Sequence, residues 1–211
     1  IYTVKDTLSL HDALPIFNNF AAIPNEFSSP GKGILYTGRL CKEKGIDTVI
    51  KSYARLQGER PPLRIAGDGP LGDELKALTK SLGLSKDVTW LGRITPRQVV
   101  EELENCAVTL VPSLWYENCS MAIMESLAMG RPTIVSNSGG NPELVTDGES
   151  GWIFKAGDEE SLSGILNTAE NFEASTLDRM GKVAREEALK RFSPEVHLKQ
   201  LLMCFNGIGW G

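Results

Sequence analysis

Two glutamates, Glu117 and Glu125, stand in "WYENCSMAIMESLAMG" (115–130), where every other residue is uncharged and most are apolar. In a helix from about Ser120 to Met129, the i±3 and i±4 neighbours of Glu125 are Met121, Ala122, Ala128 and Met129, so its face reads as buried. An ionised carboxylate buried without partners costs several kcal/mol. Glu125 therefore has to meet a cation, a donor cluster or ligand hydroxyls, or be paired inside the core. Glu117 comes before that helix, in the loop leaving an apolar run at 107–111. The amides of Asn118, Cys119, Ser120 and Met121 are then the free N–H groups of a helix start, which carries about half a unit of positive charge. A carboxylate beside an anion-binding helix end suits a ligand with both phosphate and hydroxyl groups, although a solvated loop glutamate would read the same way. An acid/base pair on one helical face fits poorly, because positions eight apart differ by about 80° around a helix.

A second constellation is "GRLCKEKG" (38–45). Arg39 directly follows a strand signal and Gly38, and Lys44 is expected at the start of the next helix. Two cations at one edge of a sheet suit a diphosphate, with Arg able to make bidentate contacts. Lys42 and Glu43 read as a solvated face. "GDGPLG" (67–72) matches a dinucleotide-binding glycine pattern. However, it falls in the second strand–helix unit, and Gly92-Arg93 stands where an acidic ribose ligand would be expected, which leaves an NADP-binding oxidoreductase as a remote alternative. Beyond His11, the only histidine is His197, on a C-terminal helical pattern, so no Ser/His/Asp or Cys/His set is available. There is no DxD pair and no cluster with metal-ligand spacing, which disfavours a metal-dependent mechanism; no cofactor is expected.

The elements that must position these groups alternate. "ILYTG" (34–38), "LRIAG" (63–67), "VTWLG" (88–92), "AVTLVP" (107–112), "PTIVS" (132–136) and "GWIF" (151–154) are strand signals. Between them apolar residues recur at helical spacing, as in Ile46, Val49, Ile50, Tyr53 and Leu56. Helices follow near Glu159–Ala169 and Ser175–Lys190, with a short one near Pro142–Val145. The expected fold class is α/β: a Rossmann-like, doubly wound parallel sheet at about 32–190, followed by a C-terminal helix entered through Ser193-Pro194. Sites in such sheets sit at the carboxyl ends of the strands. That selects the loops at Gly38-Arg39, Gly67 to Pro70, Leu91 to Arg93, Pro112 to Ser120 and Asn137 to Asn141, four of which contain glycines that let backbone N–H groups approach a ligand.

The 211 residues can bury a sizeable core, and the net charge of −5 argues against a generic nucleic-acid or membrane-surface binder. The four cysteines, Cys41, Cys106, Cys119 and Cys204, are widely spaced and read as incidental thiols of a reduced protein. The chain opens "IYTVKDTLSLHDALPI". Thr7 to Ile16 can be back-translated as ACT CTT TCC CTA CAC GAC GCT CTT CCG ATC, the reading of a common short-read sequencing adapter. Residues 1–17 are therefore expected to be non-native, which removes His11 from consideration. Residues 18–31 are expected to be the remnant of an interdomain linker, and 191–211 a C-terminal helix and tail.

In order, "IPN" (23–25), "YTGRLCKEKG", "RIAGDGPLGDEL", "VTWLGRI", "VPSLWYENCSMAIMESLAMGRPTIVSNSGGNPELVTDGESGWIF" and "RFSPE" resemble the C-terminal half of the family 4 (group 1) retaining glycosyltransferases of GT-B architecture. The resemblance covers roughly 23–194, and the two glutamates match the family's E-x7-E signature. It implies that Arg39 and Lys44 hold a donor diphosphate, that Glu117 contacts the transferred sugar, and that Glu125 binds ribose hydroxyls. The amides of Asn118, Cys119, Ser120 and Met121 would meet sugar and phosphate. Gly92, Arg93 and Ile94 would border the base, with Gly38, Gly67 and Gly69 lining the pocket. Cys119-Ser120 departs from the Phe-Gly of many members, which leaves the shape of the sugar pocket open.

The family transfers a sugar from a nucleotide-sugar, here UDP- or GDP-linked, to a glycan or lipid-linked acceptor without an essential metal. Its leaving diphosphate is held to help deprotonate the acceptor. The resemblance further implies a cytoplasmic protein, peripheral at the inner membrane face through an N-terminal acceptor domain not included in this sequence. The C-terminal helix would expose Leu198, Leu201 and Leu202. A GT-B-fold epimerase or phosphorylase, or a non-catalytic nucleotide-binding module, are the alternatives.

Overall fold

The computed structural model describes residues 21, 23–168 and 172–207. The adapter-like segment and His11 lie outside them. Six strands, β1 (Ile34–Thr37), β2 (Leu63–Ala66), β3 (Val88–Gly92), β4 (Val108–Val111), β5 (Thr133–Ser136) and β6 (Gly151–Phe154), form one parallel sheet in the order β3-β2-β1-β4-β5-β6. The helices are α1 (Ile46–Ala54), α2 (Gly72–Ser81), α3 (Pro96–Asn105), α4 (Met121–Ala128), α5 (Asn141–Leu144), α6 (Glu159–Asn167), α7 (Ala174–Arg191) and α8 (Pro194–Gly207). This is the α/β, doubly wound Rossmann-like sheet with a C-terminal helix that the alternation of patterns predicts.

The strands are apolar on both faces because helices cover both. Ile34, Tyr36, Val108, Leu110 and Ile134 point into the larger core with α1, α2 and α6. Val111 and Val135 face the opposite core, built from Ile123, Met124 and Leu127 of α4 and Ala184 and Ala188 of α7. Leu35 packs in a separate small cluster with Leu103, Cys106 and Met129. Local sequence sets the helix starts. Thr95 and Gln98 form a reciprocal capping box with Pro96 in the first turn of α3, Asp158 caps α6, and Ser193 Oγ accepts from Val196 N at the entrance to α8. The chain enters the domain along its helical layer: Ala21 N donates to Phe192 O at 3.0 Å, Ser29 Oγ to Asp178 at 2.7 Å, and Gly31 N to Cys106 O at 2.8 Å.

Two expectations are corrected. Lys44 does not open α1; it closes a separate 3-10 turn, Lys42–Lys44, which Gly45 ends at φ +65° before α1 begins at Ile46. On α8, Leu198 and Leu202 are exposed as expected and Met203 joins them, but Leu201 is half-buried, because the helix turns that position back toward the domain. Among the described residues no helix is long and apolar enough to cross a membrane.

Arg131, at the turn between α4 and β5, is fully buried. Its Nε donates to Leu103 O at 2.6 Å, Nη1 to Ser28 O at 2.7 Å, and Nη2 to Ser28 Oγ at 2.8 Å and Glu104 O at 3.1 Å. The carbonyls belong to the last turn of α3, where the helix dipole favours a cation, and to the entering chain. Arg131→Ala is expected to destabilise the protein by at least about 3 kcal/mol, because it leaves a cavity and several buried carbonyls without donors. Urea denaturation measures this.

Candidate functional site

In this strand order the connections leaving β1 and β4 run to opposite edges of the sheet, which opens a crevice between the loops that follow them. The loop after β1 carries Gly38 and Arg39. The loop after β4 runs from Pro112 through Glu117 to Ser120, where α4 begins.

Residues 113–117 are clamped on both sides. On one side, Ser136 Oγ donates to Ser113 O at 2.6 Å, Ser138 Oγ to Trp115 O at 2.9 Å, and Gly140 N to Glu117 O at 2.7 Å. Alternate carbonyls are thus taken by alternate residues of the neighbouring segment. This ladder extends the contact between the β4 and β5 segments past the last paired residues, with the hydroxyls of Ser136 and Ser138 and the amide of Gly140 as donors. On the other side, Leu114 N donates to Glu43 O at 2.8 Å. Two glycines allow the approach. Gly45 is at φ +65°, and a Cβ there would lie 2.4 Å from Pro112 O; Gly139 is at φ +58°, and a Cβ there would lie 2.5 Å from Glu117 N.

This clamp brings two predicted residues together. Lys44 Nζ and a carboxylate oxygen of Glu117, Oε1, form a short ion pair, and Ser113 Oγ donates to the same oxygen at 2.9 Å. A cation expected on a phosphate and a carboxylate expected on a sugar therefore touch each other, a contact between segments far apart in the chain. Tyr36, buried in β1, donates its hydroxyl to Arg39 O at 2.9 Å and so holds the Arg39 loop. Burial, with the negative charge of Glu117 contributing less, pushes the Tyr36 phenol well above its usual range and keeps it a donor.

The remaining predicted residues divide into groups. Gly38, Arg39, Gly67, Gly69, Arg93 and Ile94 line one cleft of about 510 Å³, with Thr37, Asp68 and Val99 beside them. Gly92 lies in a smaller adjoining recess shared with Gly67 and Gly69. Arg39 and Lys44 share a further recess of about 460 Å³ with Cys41 and Lys42, so Arg39 joins the two larger spaces. Asn118 and Met121 are exposed, Cys119 is half-buried against Met124 with sulfurs 3.6 Å apart, and Ser120 is buried. Among the described residues no hydrogen bond engages the amides of Ser120, Met121 or Ala122, so the start of α4 keeps its anion-binding donors.

Glu125 is half-buried rather than enclosed, and Met121 beside it is partly exposed. Desolvation alone pushes its carboxyl above the usual range, and no side-chain hydrogen bond or ion pair to it is found among the described residues. Ser113 and Ser138 fall in loops that the sequence selects and Ser136 in the strand signal before one of them, but none of the three is singled out as a site residue. The signal was the alternation in "SNSGG" (136–140), since positions two apart in an extended chain share a face.

The family model described as "Glycosyl transferases group 1" matches residues 21–187. An exopolysaccharide phosphotransferase of Streptomyces coelicolor is 32% identical over 203 residues, which cover 91% of this chain and 21% of that protein. Spore coat protein SA of Bacillus subtilis is 28% identical over 187 residues, covering 82% and 48% respectively. Among solved structures, the apo form of the lipopolysaccharide outer core galactosyltransferase WaaB matches with a TM-score of 0.77 at 24% identity, covering 90% of this chain and 55% of its own. HepE of Anabaena, solved with UDP-glucose, matches with a TM-score of 0.73 at 23% identity, covering 84% and 49%. At these identities the structural likenesses establish the fold alone. The chain spans about half the length, or less, of the curated relatives it matches.

Because the pKa of Glu125 is higher in the folded chain than in the unfolded one, its burial costs stability above that raised pKa, and the cost disappears as the pH falls below the unfolded value. Glu125→Gln is therefore expected to raise Tm at pH 7 by about 1–4 °C. The gain should vanish in acid, as thermal melts across pH will read.

Proposed function

This chain belongs to the group 1 glycosyl transferases, and we propose that it forms the donor-binding half of a family 4 enzyme that transfers a sugar from a nucleotide-sugar with retention of configuration. The observation that carries this reading is the Lys44–Glu117 contact at the switch point, beside the unengaged amides at the start of α4. A cation, a carboxylate and a helix start in one crevice match a ligand that joins a diphosphate to a sugar. HepE, of the same fold, has been solved with UDP-glucose, which supports a nucleotide-sugar as donor.

In this reading Arg39 and Lys44 hold the diphosphate, and the α4 amides share its charge. Glu117 accepts from hydroxyls of the transferred sugar. The ribose hydroxyls donate to Glu125 and supply the partners its carboxylate lacks. The base lies in the cleft bordered by Gly92, Arg93 and Ile94. The chain's own residues stabilise the negative charge that grows on the leaving diphosphate, whose oxygen takes the proton of the acceptor hydroxyl on the face of the sugar it departs from. We place the acceptor site on the part by which the longer relatives exceed this match, so that the present chain binds donor but turns over little.

Calorimetric titration with UDP, GDP and their sugars tests the assignment. Arg39→Ala and Glu125→Ala are each expected to weaken nucleotide affinity by about 10-fold or more, the loss of a hydrogen bond to a charged group. Unchanged affinity in both variants would remove the site. In a longer enzyme that contains this chain, Glu117→Ala should lower the transfer rate by on the order of 10²–10³ while binding of the free nucleotide persists. A near-normal rate would leave Glu117 an ordinary loop residue.

A further inference from the structure

We propose that Ser113 is the positioning residue of Glu117, aiming its carboxylate at the donor sugar; this deepens the donor-site reading above and rests on it. The side chain of Glu117 leaves a loop, and its neighbours Trp115, Tyr116 and Asn118 are exposed, so packing by those neighbours does not fix its rotamer. Its Oε1 has two partners that pull differently. Lys44 is half-exposed on a flexible stem, and its charge is also wanted by a diphosphate. Ser113 is fully buried, and its hydroxyl reaches Oε1 at 2.9 Å.

Ser113 is itself held from behind. Its carbonyl accepts from Ser136 Oγ at 2.6 Å, and Ser136 Oγ in turn accepts from Asn141 Nδ2 at 3.4 Å. All three residues are fully buried. The line of contacts therefore runs from the first residue of α5, through the end of β5, to the carboxylate in the crevice. When a diphosphate takes over Lys44, the Ser113 hydroxyl remains and keeps Glu117 pointed at the sugar. Ser113 acts on the ligand only through Glu117, and this distinguishes it from a residue that merely supports the fold.

The test uses this chain as it stands, titrated calorimetrically with UDP and GDP and with UDP-glucose, UDP-galactose and GDP-mannose. Ser113→Ala is expected to leave affinity for the free nucleotide within about twofold and to weaken the preferred nucleotide-sugar by about 10-fold. In a Glu117→Ala background the same substitution should cost nothing further, because the carboxylate it aims is gone. Equal losses for nucleotide and nucleotide-sugar, a further loss in the Glu117→Ala background, or no loss at all would overturn the role of Ser113 while the donor site stands. A wild-type chain that binds no nucleotide would overturn the donor-site reading, and this inference with it.

Discussion

Parallel strands β1 and β4 lie side by side, yet the chain leaves them toward opposite edges of the sheet, and the gap this opens has to be bridged without strand pairing. The segment 113–117 meets that constraint by borrowing partners from both neighbours. Glu43 O takes its amide on one side, and Ser136, Ser138 and Gly140 supply donors on the other. The groups around Glu117 depend on this clamp. It sets where Glu117 leaves the backbone, it brings the turn that carries Lys44 within reach, and it delivers the chain to the start of α4.

Two buried or half-buried charges of the domain are treated in opposite ways. Arg131, fully buried, spends its donors on carbonyls and a hydroxyl and is well satisfied. Glu125, only half-buried, has none of that provision, and its carboxyl is pushed toward the neutral form. The opposed treatment of the two charges follows a general pattern: structural charges are satisfied within the fold, whereas groups that meet ligands are left to be satisfied by them. In the proposed donor site the unengaged amides at the start of α4 would belong to the second class.

Much of this was legible in the sequence. Six apolar runs separated by helical periodicity predict the sheet, and Glu117, Glu125, Arg39 and Lys44 stand out because charges in apolar or glycine-rich surroundings need a reason. The rest depends on which strands become neighbours. Nothing near Lys44 in the chain reveals that it will meet Glu117, and the 3-10 turn that puts it there depends on Gly45 approaching Pro112 O. The role of Ser136 and Ser138 likewise exists only because β5 lies beside β4. Arg131 is not singled out by the sequence, since its partners come from α3 and the entering chain.

The ladder of alternate contacts between 136–140 and 113–117 also separates two kinds of change the loop can undergo. Its carbonyls at Ser113, Trp115 and Glu117 and its amide at Leu114 are committed, whereas the side chains of Leu114, Trp115 and Tyr116 turn outward and are exposed. A substitution at those positions alters the lip of the crevice and leaves the ladder intact. A single inserted residue would shift every contact by one step, facing each hydroxyl with the wrong group and turning Glu117 away from Lys44. The stretch can therefore vary in composition but not in length, and new chemistry at the rim of the crevice has to come by exchanging side chains on a frame of constant count.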